Sequence, residues 1–263
     1  MTILFFVSLG LYALAFPVLL LSALLRRQPL KKAGWALFVL GLLCHLGYFV
    51  WRGFAAGRMP LSSQFEFACG LALGLALMLL AARTRVNGDW IAVAGAGATA
   101  LVMGYAALQP MEINELMPAL RSFWFSFHIG AAVFSYSSFL VAGCYALRYV
   151  LLRRRGEAPD SRRMRQLEYS SYRLVALGFL LLTAVIVIGA IWAEAAWSAY
   201  WTWDPKEVWA LITWLIYAVY LHIRLRGQKS GTWLCWYVIL AIPAFLFTFA
   251  GVNKLIPGLH AYA

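Results

Sequence analysis

The chain has 263 residues, of which 63% are hydrophobic and only 12% charged. That composition and a positive mean hydropathy exclude a soluble globular domain and describe an integral membrane protein. The formal net charge of +12 raises nucleic acid as a partner, but the loop-by-loop distribution of the basic residues shows that the charge reports membrane topology instead.

Eight apolar runs, nearly free of ionisable groups, are long enough to cross a hydrocarbon core of roughly 30 Å as helices. They run approximately from Ile3 to Leu25, Ala33 to Trp51, Phe65 to Ala82, Trp90 to Leu108, Trp124 to Leu152, Leu174 to Ala193, Pro205 to Ile223 and Thr232 to Ala250. The first lacks a basic leader and is too long for a signal peptide. Of the 22 Lys and Arg residues, 17 fall on one side of this alternation and five on the other. The positive-inside rule then puts both termini on the outer face and the arginine-rich segment 153–173 in the cytoplasm as a long basic loop, which suits anionic lipid headgroups. The expected fold is all-α: a polytopic membrane protein of about eight transmembrane helices, with residues 1–263 as one membrane domain.

In chain order, the second helix carries His45, an ionisable group inside the membrane. Such a residue is either a functional group or a hydrogen-bonding partner for a neighbouring helix. Glu66, at the start of the third helix, reads as a favourable anion in a first turn. The Gly95-Ala96-Gly97-Ala98 run of the fourth helix reads as a close-packing face. An aromatic cluster, Phe123-Trp124-Phe125-Ser126-Phe127, precedes His128 at the outer mouth of the fifth helix. His222 lies at the cytoplasmic end of the seventh helix and His260 in the outer tail. The four cysteines, Cys44, Cys69, Cys144 and Cys235, all fall in apolar segments and form no C-x-x-C pair, so they read as small core residues.

The most distinctive stretch is the outer loop 194–207, which packs Trp197, Tyr200, Trp201 and Trp203 into seven residues before Asp204-Pro205-Lys206-Glu207. Aspartate as cap, proline at the first helical position and glutamate three residues after the cap form a strong helix-start signal. Asp204 is therefore either a helix cap alone or also part of a site, while Lys206 and Glu207 read as cap and interface residues, and Trp209 and Trp214 as belt or packing residues. The aromatic platform in front of the cap suits a flat, partly apolar ligand at a membrane surface.

Topology sorts the histidines: His128 and His260 share the outer face with the tryptophan loop, His222 lies inside, and His45 lies within the membrane. Seventeen residues of helix separate Pro205 from His222, roughly 26 Å at 1.5 Å per residue, so one metal cannot bind both His222 and the outer pair. Two neutral imidazoles beside several indole rings suit an iron porphyrin, with imidazoles as axial ligands and aromatic rings against the macrocycle. A catalytic zinc would call for three protein ligands.

Residues Trp197 to Glu207 resemble the tryptophan-rich "WWD" signature of haem-handling membrane proteins. The continuation Val208-Trp209-Ala210-Leu211-Ile212-Thr213-Trp214-Leu215-Ile216-Tyr217 is similar to the CcsA/ResC branch, also named CcsB, of system II cytochrome c biogenesis. His45 with Gly47 and Arg52, Pro60-Leu61-Ser62 with Glu66, Trp124 to His128 followed by Tyr136, and the tail from Gly251 agree with that branch. Ser198 departs from it, standing where the family usually carries glycine, which makes positive φ harder to reach there. Ser63 and Phe65 replace a common Asn and Tyr.

The resemblance implies a subunit of a holocytochrome c synthase, not active alone, in the bacterial inner membrane. It would export haem and present it on the outer face for attachment to apocytochrome c. His128 and His260 would be the axial ligands of the outer haem, with Trp197, Trp201, Trp203 and Asp204 shaping the platform that presents the vinyl groups. His222 would bind haem in the membrane with a second ligand from a ResB-type partner, and His45 is a further candidate iron ligand. The chain shows no soluble domain, so the partner is expected as a separate polypeptide, alongside an acceptor carrying Cys-x-x-Cys-His and thiol reductants. The alternative is a haem-binding or substrate-exporting membrane protein without ligation activity.

Overall fold

The structure is a computed structural model that describes residues 2–82, 89–227 and 231–256. Each apolar run forms a helix: α1 (Thr2–Leu25), α2 (Gln28–Ala56), α3 (Gln64–Ala82), α4 (Asp89–Ala107), α5 (Phe123–Arg154), α6 (Arg162–Trp197), α7 (Pro205–Leu225) and α8 (Thr232–Leu246). The last runs on through a π-helical turn, Phe247–Gly251, into a short α9, Val252–Leu255. Among the described residues eight helices are long and apolar enough to cross a membrane, and there is no strand. The shortest of α1 to α7 have 19 residues, about 28 Å at 1.5 Å per residue, close to the thickness of a hydrocarbon core.

The helices group into two compact units, Met1–Ile113 and Asn114–Ala263. In the first, α1 packs on α2 and α4, and α3 packs on α4 and α2. The Gly/Ala run of α4 is a packing face, as its composition predicts. A Cβ built on Gly95 would lie 2.6 Å from the Leu79 side chain of α3, so any larger residue would force that side chain to move. In the second unit, α5 packs along α6 and α8, and α7 packs on α6 and α8. Its interior is aromatic: Phe139 and Tyr217 stack with centroids 3.7 Å apart, and Tyr136 stacks on Phe245 at 5.0 Å.

The basic segment 153–173 is mostly helix rather than loop. α5 continues to Arg154 and α6 begins at Arg162, capped by Ser161, whose side chain accepts a hydrogen bond from the Met164 N–H. The physical reason is legible in the packing. Arginine is a good helix former, and Met164, Leu167, Ser171 and Val175 form a buried stripe at spacings of three and four that extends the helix back through the basic residues. With 36 residues, α6 is about 54 Å long and overruns a 30 Å hydrocarbon core.

Candidate functional site

One end of the second unit is built where the start of α5 meets the end of α6. Phe125, Trp192 and Leu120 form a buried cluster, with Leu116, Ile129, Ala196 and Trp197 packed against it. Trp192 is its centre. Its Nε1–H donates to the Ala119 carbonyl at 2.9 Å, and its ring meets Phe125 at 5.5 Å and Trp197 edge-on at 6.1 Å. His128 joins this cluster from α5. Its imidazole stacks on Trp192 with centroids 6.1 Å apart and planes 21° apart, and its Nδ1 lies 2.8 Å from the Val185 carbonyl oxygen of α6. A carbonyl can only accept, so Nδ1 carries a proton, and in the neutral imidazole the lone pair is then on Nε2.

Trp197 is the last residue of α6. Its indole N–H is buried and finds no acceptor among the described residues. Such a group costs roughly 1–3 kcal/mol when left unsatisfied, so it is a donor that a bound molecule could satisfy at a gain. The chain then leaves the helix through Ser198, at φ 56° and ψ 34°, whose N–H donates to the Glu194 carbonyl at 2.9 Å. This is the left-handed helix stop that usually takes glycine. Serine adopts it here despite the steric cost, so its departure from the family residue leaves the turn intact.

Trp203 is also left-handed, at φ 58°. A bulky aromatic residue is an outlier there, and Trp203 is 69% exposed. Trp201 meets it edge-to-face at 5.8 Å. The turn is held by one carboxylate. Glu207 Oε2 accepts from the Thr202 N–H at 2.8 Å and from the Asp204 N–H at 3.1 Å, bracketing Trp203 on both sides. The Asp204 carboxylate in turn accepts from the Lys206 N–H at 3.0 Å and from the Glu207 N–H, and the second of these completes the capping box expected from Asp204-Pro205-Lys206-Glu207. Trp209 packs on Phe247 at 4.4 Å, and the Trp214 indole donates to Thr183 at 2.9 Å, so both are packing residues.

α7 is unbroken from Pro205 to Leu225, which preserves the separation of about 26 Å between its cap and His222. His222 is exposed and lies on the outward stripe Leu215, Val219, His222 and Arg226, opposite the buried Thr213, Tyr217 and Tyr220. Near it, Arg224 pairs with Glu168 of α6 at 2.9 Å and sits over the Tyr172 ring at 5.2 Å. His260 lies outside the described residues.

In the first unit His45 is completely buried. Its Nδ1 is 3.5 Å from the Tyr12 hydroxyl of α1, and Nε2 has no hydrogen-bond partner among the described residues. This packing favours its reading as a residue that ties α2 to α1.

Glu66 proves to be more than a first-turn anion. It is fully buried and bridges Arg52 at 2.9 Å and Arg58 at 2.7 Å, while accepting from the Ser62 N–H at 2.8 Å. Arg52 also donates to the carbonyls of Met111 at 2.8 Å and Glu112 at 3.0 Å, fastening the segment after α4.

Sequence reasoning missed Val185, Gly189 and Trp192 because they sit inside a run that reads only as membrane helix. The available signal was spacing: Val185, Gly189 and Trp192 recur at i, i+4 and i+7, one helical face leading to Trp197.

These features define a polytopic α-helical membrane protein with a histidine and tryptophan cluster at the ends of two packed helices. The family model for the cytochrome C assembly protein matches residues 4–260, and the chain belongs to that family. It is 35% identical over 250 residues to the cytochrome c biogenesis protein CcsA of Parasynechococcus marenigrum, covering 81% of this chain and 80% of the relative. It is 32% identical to CcsA of Synechococcus sp. (strain CC9311), covering 97% of both chains, and 30% identical to CcsA of Guillardia theta, covering 80% and 79%. Among solved structures, the cytochrome c heme lyase CcmF superposes with a TM-score of 0.77 at 19% identity, over 94% of this chain and 46% of that one. That likeness is one of fold, and this chain spans about half the length of CcmF. The protein thus stands with the CcsA branch of cytochrome c biogenesis.

Proposed function

We propose that this protein receives haem in the membrane and presents it on the outer, periplasmic face of a bacterial inner membrane for attachment to apocytochrome c. It does so as a subunit of a synthase with a ResB-type partner. The observation that carries this reading is the placement of His128: proton on Nδ1, ring stacked on Trp192, and Trp192 in contact with the tryptophan that opens the strained, capped turn. The CcsA relatives support it, since they are named for cytochrome c biogenesis.

In this mechanism His128 offers Nε2 to the iron, and His260 supplies the second outer ligand. Trp197, Trp201 and Trp203 lie against the macrocycle, and Asp204 and Glu207 keep the turn in place. Each acceptor thiol adds across a vinyl group, sulfur bonding to one vinyl carbon and the proton ending on the other, so no net oxidation or reduction occurs. Thiol reductants keep the acceptor cysteines able to react, and the acceptor histidine displaces one axial ligand. His222, on an exposed stripe about 26 Å away, serves a second haem in the membrane with a ligand from the partner. His45 holds α1 to α2.

The test is co-expression of the chain with its ResB-type partner and a Cys-x-x-Cys-His acceptor under reducing conditions, reading covalent haem on the acceptor and the spectrum of the purified complex. His128→Ala and His260→Ala are expected to deplete the same haem population, and His222→Ala a different one. A single shared phenotype would argue against two sites. Haem bound at both sites without covalent cytochrome c would instead support a haem carrier that lacks ligation activity.

A further inference from the structure

We infer that Gly189, with the Val185 carbonyl and the Trp192 indole, forms a positioning socket on α6 that orients the His128 ring and selects Nε2 as the atom offered to a ligand. The inference rests on the haem reading above for its purpose, but the socket is a property of the chain itself.

Residues 185, 189 and 192 lie on one face of α6, and each meets a different part of the imidazole. Val185 takes the Nδ1 proton through its carbonyl oxygen at 2.8 Å. Trp192 covers the ring face with planes 21° apart, and it is itself held by its bond to Ala119 and by Phe125. Gly189 supplies space. A Cβ at this position would lie 2.8 Å from both Cε1 and Nδ1 of His128, so the imidazole occupies the volume where any other residue would place its side chain. The missing side chain also lets the ring reach the helix backbone, where the Val185 carbonyl is. Hydrogen bonding of the far ring nitrogen is the usual means of fixing the tautomer and plane of a ligating histidine. Here a helix does this with backbone, glycine and tryptophan, before any ligand arrives.

Gly130 provides the internal control. It is two residues from His128 on α5, and a Cβ there would meet nothing within 4 Å.

The experiment uses the full chain with its ResB-type partner. Gly189→Ala is expected to lower haem retention at the outer site on the order of tenfold and to shift the low-spin ferric g values, which report the plane of an axial imidazole. Gly130→Ala should change neither. Unaltered g values and retention in Gly189→Ala would overturn the socket. If Gly189→Ala does not accumulate, the comparison of Trp192→Leu with Trp192→Phe replaces it: loss of the stacking ring must move the g values and the conservative variant must restore them, and two wild-type spectra would overturn the inference. A haem-free readout separates this proposal from the function itself. With 15N-labelled histidine, His128 should show the Nδ1–H tautomer in the wild type and lose that preference in Gly189→Ala. Wild-type protein that binds no haem but shows this tautomer would refute the haem reading and leave the socket standing, whereas an Nε2–H tautomer would refute the socket.

Discussion

The heads of α3 and α7 share a local design and diverge in use. Each begins with a capping residue followed three positions later by glutamate: Ser63 with Glu66, and Asp204 with Glu207. In α3 the Ser63 hydroxyl accepts from the Glu66 N–H at 3.2 Å, but the carboxylate turns away to two guanidinium groups and the Ser62 N–H and becomes fully buried. In α7 the carboxylate stays near the surface and gathers the backbone N–H groups on either side of Trp203. The first arrangement is saturated, with both carboxylate oxygens and the Arg52 donors satisfied within the unit. The second holds a tryptophan in a left-handed conformation and leaves that residue mostly exposed. Closed polar networks tie segments together; strain kept in place beside exposed aromatic rings marks a surface waiting for a partner.

The largest effect that would break this contrast is at Glu66. Glu66→Ala leaves Arg52 and Arg58 facing each other without their counter-charge, and breaking such a buried pair costs about 3–5 kcal/mol. Thermal unfolding of the purified protein in detergent should show that loss, and an Arg52→Ala, Glu66→Ala double-mutant cycle should show strong coupling. Additive effects of the two substitutions would mean that the network is not a unit.

A smaller loss is expected at Glu207. Glu207→Ala removes the capping box and the Thr202 contact together, worth about 1–2 kcal/mol by the range measured for helix caps. Its sharper signature is local: amide hydrogen exchange in residues 198–207 should accelerate, while Glu207→Gln, which keeps an acceptor oxygen, should retain much of the protection. Uniform exchange across wild type and both variants would show that the carboxylate does not hold the turn.

The smallest effect has the opposite sign. Ser198→Gly removes the left-handed penalty of a residue with a Cβ and should stabilise the protein by about 1 kcal/mol, read as a modest rise in Tm. A fall would mean that the serine side chain makes a compensating contact.

Much of the fold was legible because a bilayer leaves few choices. Unbroken apolar runs must be helices, since backbone polar groups in hydrocarbon have no other partners, and every expected span falls on a helix. The start of α7 was equally legible, because the Asp204, Pro205 and Glu207 pattern acts through the nearest backbone groups alone. The extent of α6 was not. Its arginines look like a solvated loop until the buried Met164, Leu167 and Ser171 stripe finds α5 to pack on.

The amino-acid sequence by itself determined the helices, the capped tryptophan turn and the family, because each depends on composition or on residues within a few positions of one another. Only the tertiary structure decided that Glu66 is buried between two arginines instead of resting on its own helix. It alone seated His128 on Val185, Gly189 and Trp192, 57 residues along the chain in the case of Val185. Contacts of that kind depend on which helices pack side by side, and in a chain of nearly uniform apolar segments the pattern of hydrophobic residues does not say which neighbour each helix will choose.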